Sequence, residues 1–285
     1  VALLAACNAT PSESAPAAEP VASGSRSESR IVALHTSLPI VWRESGAISD
    51  LLDGGQAPHW VLAALREEGK VVPLDTLAGA RGLQALPRNS LLVLAQPRAL
   101  SPQDNVALDD WVRQGGHVLL FADPMLTGHS DYALGDPRRP QDIALLSPIL
   151  GHWGLELRFD EDQQGGKSAV AWRGRQVPVN LHGAWNATSG ACALEAKALI
   201  ARCTVGSGSV LAVADAAVLE DSAESADSDA AGALATLLKA ASAPGSAAFS
   251  RKFGMAWDRL FSSVDLVGMA ARGADPPRVR ARKVA

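Results

Sequence analysis

Residues Ser90–Pro124 read SLLVLAQPRALSPQDNVALDDWVRQGGHVLLFADP. Ser90–Ala95 is an apolar run of strand length, stopped by Pro97. Ser101 has the chemistry of a helix N-cap, Pro102 fits the first helical position, and Asp104 suits the positive end of the helix dipole. Val106, Leu108, Trp111 and Val112 continue that helix, and Gly115-Gly116 breaks it. His117–Ala122 is a second apolar run, ending at Asp123-Pro124. Strand, helix, strand in this order is a right-handed crossover between parallel strands. Both strands are apolar along their whole length, which predicts burial on both faces of the sheet.

Upstream, Ile31–His35 reads as a buried strand, 58–69 as a helix and Lys70–Leu74 as a second strand. Downstream the expected elements are a helix over 141–151 and a strand over 155–159. An antiparallel pair follows over 169–173 and 176–181 around Gly174. Strands over 193–203 and 209–214 are joined by the tight turn Val205-Gly-Ser-Gly-Ser209. Leu234, Leu237 and Leu238 form the stripe of a helix over 227–241. The expected fold is α/β, a mostly parallel sheet with an antiparallel strand extension, in one domain over 31–242.

The flanking segments read differently. Leu4-Ala-Ala-Cys7 has the form of a bacterial lipobox: small residues admit a signal peptidase, and the Cys7 thiol takes a lipid. Residues 1–30 are therefore expected to be a truncated lipoprotein signal followed by a disordered tether. The tether is rich in Pro, Ser, Ala and Glu, a composition that cannot offset the entropy of ordering. By analogy with bacterial lipoprotein sorting, Asn8 after the Cys favours the outer membrane. The expected location is the cell envelope, facing the periplasm, with the membrane reached through lipid. Residues 243–285 read as a tail, with an amphipathic helix expected over 253–269 and disorder beyond it.

A net charge of −4 leaves no electrostatic footprint of the size nucleic acid requires. No apolar stretch reaches the roughly 18–20 residues that span a bilayer. Cys192 and Cys203 remain once Cys7 is set aside, an even pair in a compartment that permits a disulfide. They are read as bridged across a hairpin or as two buried thiols. Neither has a second ligand at zinc-site spacing, so no metal is expected. No Gly-rich loop follows a strand, so no nucleotide or other cofactor is expected.

The run Leu86–Leu126 resembles the GldG-like family of uncharacterised ABC-type transport system domains. In that family a strand ending in A-x-P leads to L-S-x-x-E-x-x-A-L-x-x-Y/W-V-x-x-G-G and then to an apolar strand ending in D-P. LLSPILGHWGLEL and GSGSVLAVADAAVLEDS are similar, more loosely, to later segments of the family. The resemblance implies a flavodoxin-like or class I amidotransferase-like sheet. It implies a non-enzymatic, membrane-anchored accessory component that acts by binding, with an ABC transporter permease or envelope proteins as partners. The chain departs from the family in lacking its transmembrane helices, for which a lipid anchor would substitute.

In a parallel sheet, ligands sit outside the carboxyl ends of the strands. The candidates there are Thr36, Ser37, Gln96, Asp123 and Asp215, with His129 in the polar loop after Asp123. The two aspartates either bind a ligand through paired carboxylates or cap the turns that follow them. The rival to the binding role is a periplasmic hydrolase using these strand-end carboxylates. No G-x-S-x-G nucleophile elbow occurs, and the six His form no H-x-H or H-E-x-x-H pair. Seven Trp stand against one Tyr. Trp42, Trp153, Trp172 and Trp185 fall near expected loops and strand ends, where they fill the core or present a surface.

Overall fold

The structure is a computed structural model, described for residues 30–42, 44, 58–220 and 228–243. Cys7, the expected tether and the expected helix over 253–269 lie outside the described residues. Among the described residues no helix is long and apolar enough to cross a membrane.

The first half of the fold follows the apolar runs. β1 (Ile31–Thr36), α1 (Trp60–Glu68), β2 (Lys70–Pro73), β3 (Leu91–Ala95), α2 (Pro102–Arg113) and β4 (His117–Phe121) alternate as expected. Ser101 caps α2 by accepting from the Asp104 N–H at 3.1 Å. The Asp104 carboxylate in turn accepts from the backbone of Leu77 and Ala78, which fixes the loop before β3. His59 caps α1, its Nδ1 accepting from the Val61 N–H.

The second half comprises α3 (Ser147–His152), β5 (Leu155–Arg158), β6 (Ser168–Trp172), β7 (Arg175–Val179), β8 (Ala184–Ala187), β9 (Cys192–Glu195), β10 (Ile200–Val205), β11 (Gly208–Val213) and α4 (Ser228–Ser242). Seven strands form one sheet in the order β2-β1-β3-β4-β11-β10-β9. β2, β1, β3, β4 and β11 run parallel, whereas β10 is antiparallel to both of its neighbours. β3 and β11 are buried at every residue, as strands covered on both faces must be. The crossovers β1-α1-β2 and β3-α2-β4 step in opposite directions from the β1/β3 junction. With right-handed connections, that puts their helices on opposite faces. β5 with β8, and β6 with β7, form two small antiparallel ladders outside the main sheet.

Three expectations change. The strand expected over 193–203 is two strands, β9 and β10, because Ala196, Lys197 and Ala198 all take left-handed backbone and reverse the chain. The helix expected over 141–151 is confined to Ser147–His152, because residues 141–146 give their backbone groups to strand ends instead. β8 was not expected. It is stabilised by pairing with β5, a contact remote in sequence.

Cys192 and Cys203 lie directly opposite each other on β9 and β10 and are joined, sulfur to sulfur, at 2.01 Å. Closing a loop of this length adds on the order of 2–3 kcal/mol through the unfolded chain. Of the four Trp in question, Trp153, Trp172 and Trp185 are core residues, and Trp42 is partly open at 39% exposure.

Candidate functional site

Parallel strands end together, so the polar residues after β1, β3, β4 and β11 meet at one edge of the sheet. Thr36 Oγ1 donates to Ala95 O at 2.8 Å and accepts from the Leu38 N–H. Ser37 Oγ donates to Gln96 O and accepts from the Gln141 N–H. Gln96 is fully buried. Its Nε2 donates to Asp123 O at 3.0 Å and to Gln141 O at 2.8 Å, while its Oε1 accepts from the Asp123 N–H. This amide clamps the loop after β4 to the segment before α3.

The two strand-end aspartates cap turns. Asp123 accepts from the Met125 N–H at one oxygen and the Ala216 N–H at the other. Asp215 accepts from the Ala217 and Asn180 N–H groups. Both are 1% exposed. Burial pushes Asp123 up to about 6, against the pull of the Met125 and Ala216 N–H groups. Burial, together with the adjacent Asp123 charge, pushes Asp215 up to about 8.

An open cleft of about 310 Å³ lies at this edge. Its walls are Leu38 and Pro39 after β1, Leu126–His129 after β4, Pro140, and Ala216, Leu219 and Glu220 after β11, with His59 beside them. Among the expected site residues only His129 lines it. Thr36, Ser37, Gln96, Asp123 and Asp215 form the hydrogen-bonded floor that holds the walls. Among the described residues that line the cleft, Glu220 is the one carboxylate. Its Oε1 accepts from Thr127 Oγ1 at 3.0 Å, and its backbone oxygen accepts from Trp60 Nε1 at 3.0 Å. His129 is exposed and pairs with Asp131 at 3.3 Å. Sequence reading missed Glu220, Thr127 and His59. The signal that could have found Glu220 was its place a few residues past the carboxyl end of β11.

The polar loop after His129 is pinned rather than loose. Arg138 pairs with Asp136 at 2.8 Å and lies over the Tyr132 ring, and Arg139 pairs with Asp142 at 3.0 Å. Among the described residues no group of three or more His, Cys, Asp or Glu is placed to hold a metal ion.

No family model matches the chain, and no curated protein matches it. The resemblance of Leu86–Pro124 to the GldG-like family therefore rests on those residues alone. The chain is similar in structure to parts of several solved glycoside hydrolases. The exo-β-1,4-mannosidase of Opitutaceae bacterium strain TAV5 is 12% identical at a TM-score of 0.45, over 74% of this chain and 36% of that one. The β-galactosidase of Bacillus circulans sp. alkalophilus is 11% identical at 0.39, over 74% and 31%. A GH42 β-galactosidase of G. stearothermophilus is 13% identical at 0.36, over 66% and 27%. The chain thus spans about a third of the length of these enzymes. The expectation of a non-enzymatic transport accessory is corrected here: the neighbours just named are hydrolases. They indicate no substrate for this chain.

Proposed function

We propose that the protein is a hydrolase whose reacting carboxylate is Glu220, working in the cleft at the carboxyl ends of β1, β4 and β11. One observation carries this reading. A carboxylate on a partly buried residue, held by Thr127 at the side chain and by Trp60 at the backbone oxygen, lines a cleft whose other walls are largely apolar. A carboxylate so held can take a proton from an attacking water, and a neighbouring acid can give one to the leaving group. His129 stands at the rim of the same cleft, whereas the buried Asp123 and Asp215 are shut off from it. Leu38, Pro39, Leu126 and Leu219 favour a substrate of low charge.

With p-nitrophenyl glycosides and p-nitrophenyl esters as probes, turnover is expected in the native protein. It should fall by about 100-fold or more in Glu220→Gln, the scale of a lost general base. No turnover of either probe class, or turnover that Glu220→Gln leaves unchanged, overturns the reading.

The strand order 2-1-3-4, continued by β11, matches the flavodoxin-like order and supports that finer assignment of the sheet. Lipid anchoring at Cys7 in the cell envelope stands beside this as a separate proposal, supported by the lipobox spacing. In cells carrying the full upstream signal, a palmitate analogue should label the native protein and not Cys7→Ser. Equal labelling of both refutes it.

A further inference from the structure

We infer that Asp123 and Asp215 form a proton-operated latch beneath the cleft: a proton retained by the pair holds the turn Ala216–Glu220 against the loop after β4, and its loss releases that turn. The geometry begins in the sheet. β4 and β11 are parallel neighbours with Phe121 opposite Val213, so two residues on Asp123 and Asp215 leave the sheet side by side. Both carboxyl groups are shut off from solvent. Among the described residues, every hydrogen bond they accept comes from a backbone N–H. Among the described residues neither forms an ion pair with Lys or Arg.

The charged groups around them do not replace such a cation. Glu220, from the segment after the 3₁₀ turn Ala217–Leu219, adds negative charge that raises both groups. His182, from the β7–β8 connection, pulls Asp123 the other way when protonated. From β3 comes only the neutral amide of Gln96. The loop whose Ala144 N–H donates to Asp123 O carries Arg139 and Asp142, which compensate each other. Two like charges side by side in a buried site resist joint ionisation, so the pair keeps a proton into the neutral range.

The Ala216 N–H ties the two strands' exits together, because it donates to Asp123 from the residue after Asp215. Ala216, Leu219 and Glu220 are cleft walls on that same turn. With one proton retained, only one charge remains on the pair and the turn stays seated. With both ionised, their repulsion acts along the β4–β11 exit against the hold of the Ala216 and Ala217 N–H groups, and pushes the turn, Glu220 included, away from the loop after β4. The bearing of this movement on catalysis rests on the hydrolase reading, whereas the latch itself needs no substrate.

Hydrogen–deuterium exchange of the full chain between pH 5 and pH 9, corrected for the intrinsic rate, tests it. Protection of the Ala216 and Ala217 amides should fall by about tenfold or more as the pH rises. Trp60 fluorescence should shift in parallel, since its Nε1–H donates to Glu220 O. Asp215→Asn should flatten both profiles. Constant protection in the native protein, or an unchanged profile in Asp215→Asn, overturns the latch. Should that variant not fold, carboxyl ¹³C NMR of the native protein decides. Two aspartates titrating above pH 5 are expected, and none doing so overturns the proposal. Constant protection alongside Glu220-dependent turnover removes the latch alone. A titrating latch without turnover removes the hydrolase reading alone.

Discussion

Gly208→Ala is expected to destabilise the fold by about 4 kcal/mol or more, enough to leave a domain of ordinary stability barely folded. Gly208 opens β11 opposite Val205, at the point where the β10–β11 hairpin passes the end of α2. A Cβ there would lie 2.1 Å from Val112 O and 2.3 Å from Gly116 O. Both obstacles are backbone. Neither can move freely, because Ser207 donates to Arg113 O and Ser209 to Gly116 O across the same junction. The glycine is required by close approach. Gly174 makes the contrast: it turns the β6–β7 hairpin at φ +76 with nothing within 4 Å of its would-be Cβ. Gly174→Ala should therefore cost only the left-handed preference, about 1–2 kcal/mol. Urea unfolding of the two variants measures the difference. Equal midpoints would show that the α2–β11 junction relaxes around a methyl group.

Stability is expected to be greatest in mildly acidic solution and to fall by several kcal/mol towards pH 9. Asp123 and Asp215 titrate near 3.8 in an ordinary setting and are raised to about 6 and about 8 in the fold. Between those limits the folded chain binds more protons than the unfolded one. Their contribution is complete below about pH 4 and is lost as the pH rises through the folded values, at about 1.4 kcal/mol for each tenfold difference in proton affinity between the folded and unfolded chain. The opposite sign applies to Asp104 and Asp109. Burial raises both, but the bonds from Ser101, Leu77 and Ala78 to Asp104, and from Arg113 and Trp153 to Asp109, leave them below the usual range. Their contribution is lost on acidification. Calorimetric melting from pH 3 to pH 9 should trace a dome with its crest at about pH 4–6. A melting temperature that rises from pH 5 to pH 8 would show that the buried pair ionises normally.

Much of the first half of the fold was legible because its signals are local. Ser101, Pro102 and the Gly115-Gly116 break bound α2 through backbone chemistry that acts within a turn or two. The continuous apolar runs of β3, β4 and β11 declare burial on both faces. The facing cysteines of β9 and β10 were also readable, although the turn between them was not. Ala196, Lys197 and Ala198 hold left-handed backbone with no Gly or Asn to announce it. β8 and the shortened α3 were hidden for a related reason. Each depends on partners far along the chain, Leu155–Arg158 for β8 and the ends of β1, β3 and β4 for residues 141–146.

The site divides along the same line. The sequence by itself determined that Thr36, Ser37, Gln96, Asp123 and Asp215 gather at one edge, since parallel strands of like length end together. Only the tertiary structure decided what that gathering does. Each of these residues makes at least one hydrogen bond to backbone from another part of the sheet edge, and Thr36, Asp123 and Asp215 also cap their own turns, so the set becomes a hydrogen-bonded floor. The carboxylate left to line the cleft is Glu220. It has no motif of its own and is placed by Thr127 and Trp60, partners 93 and 160 residues away along the chain.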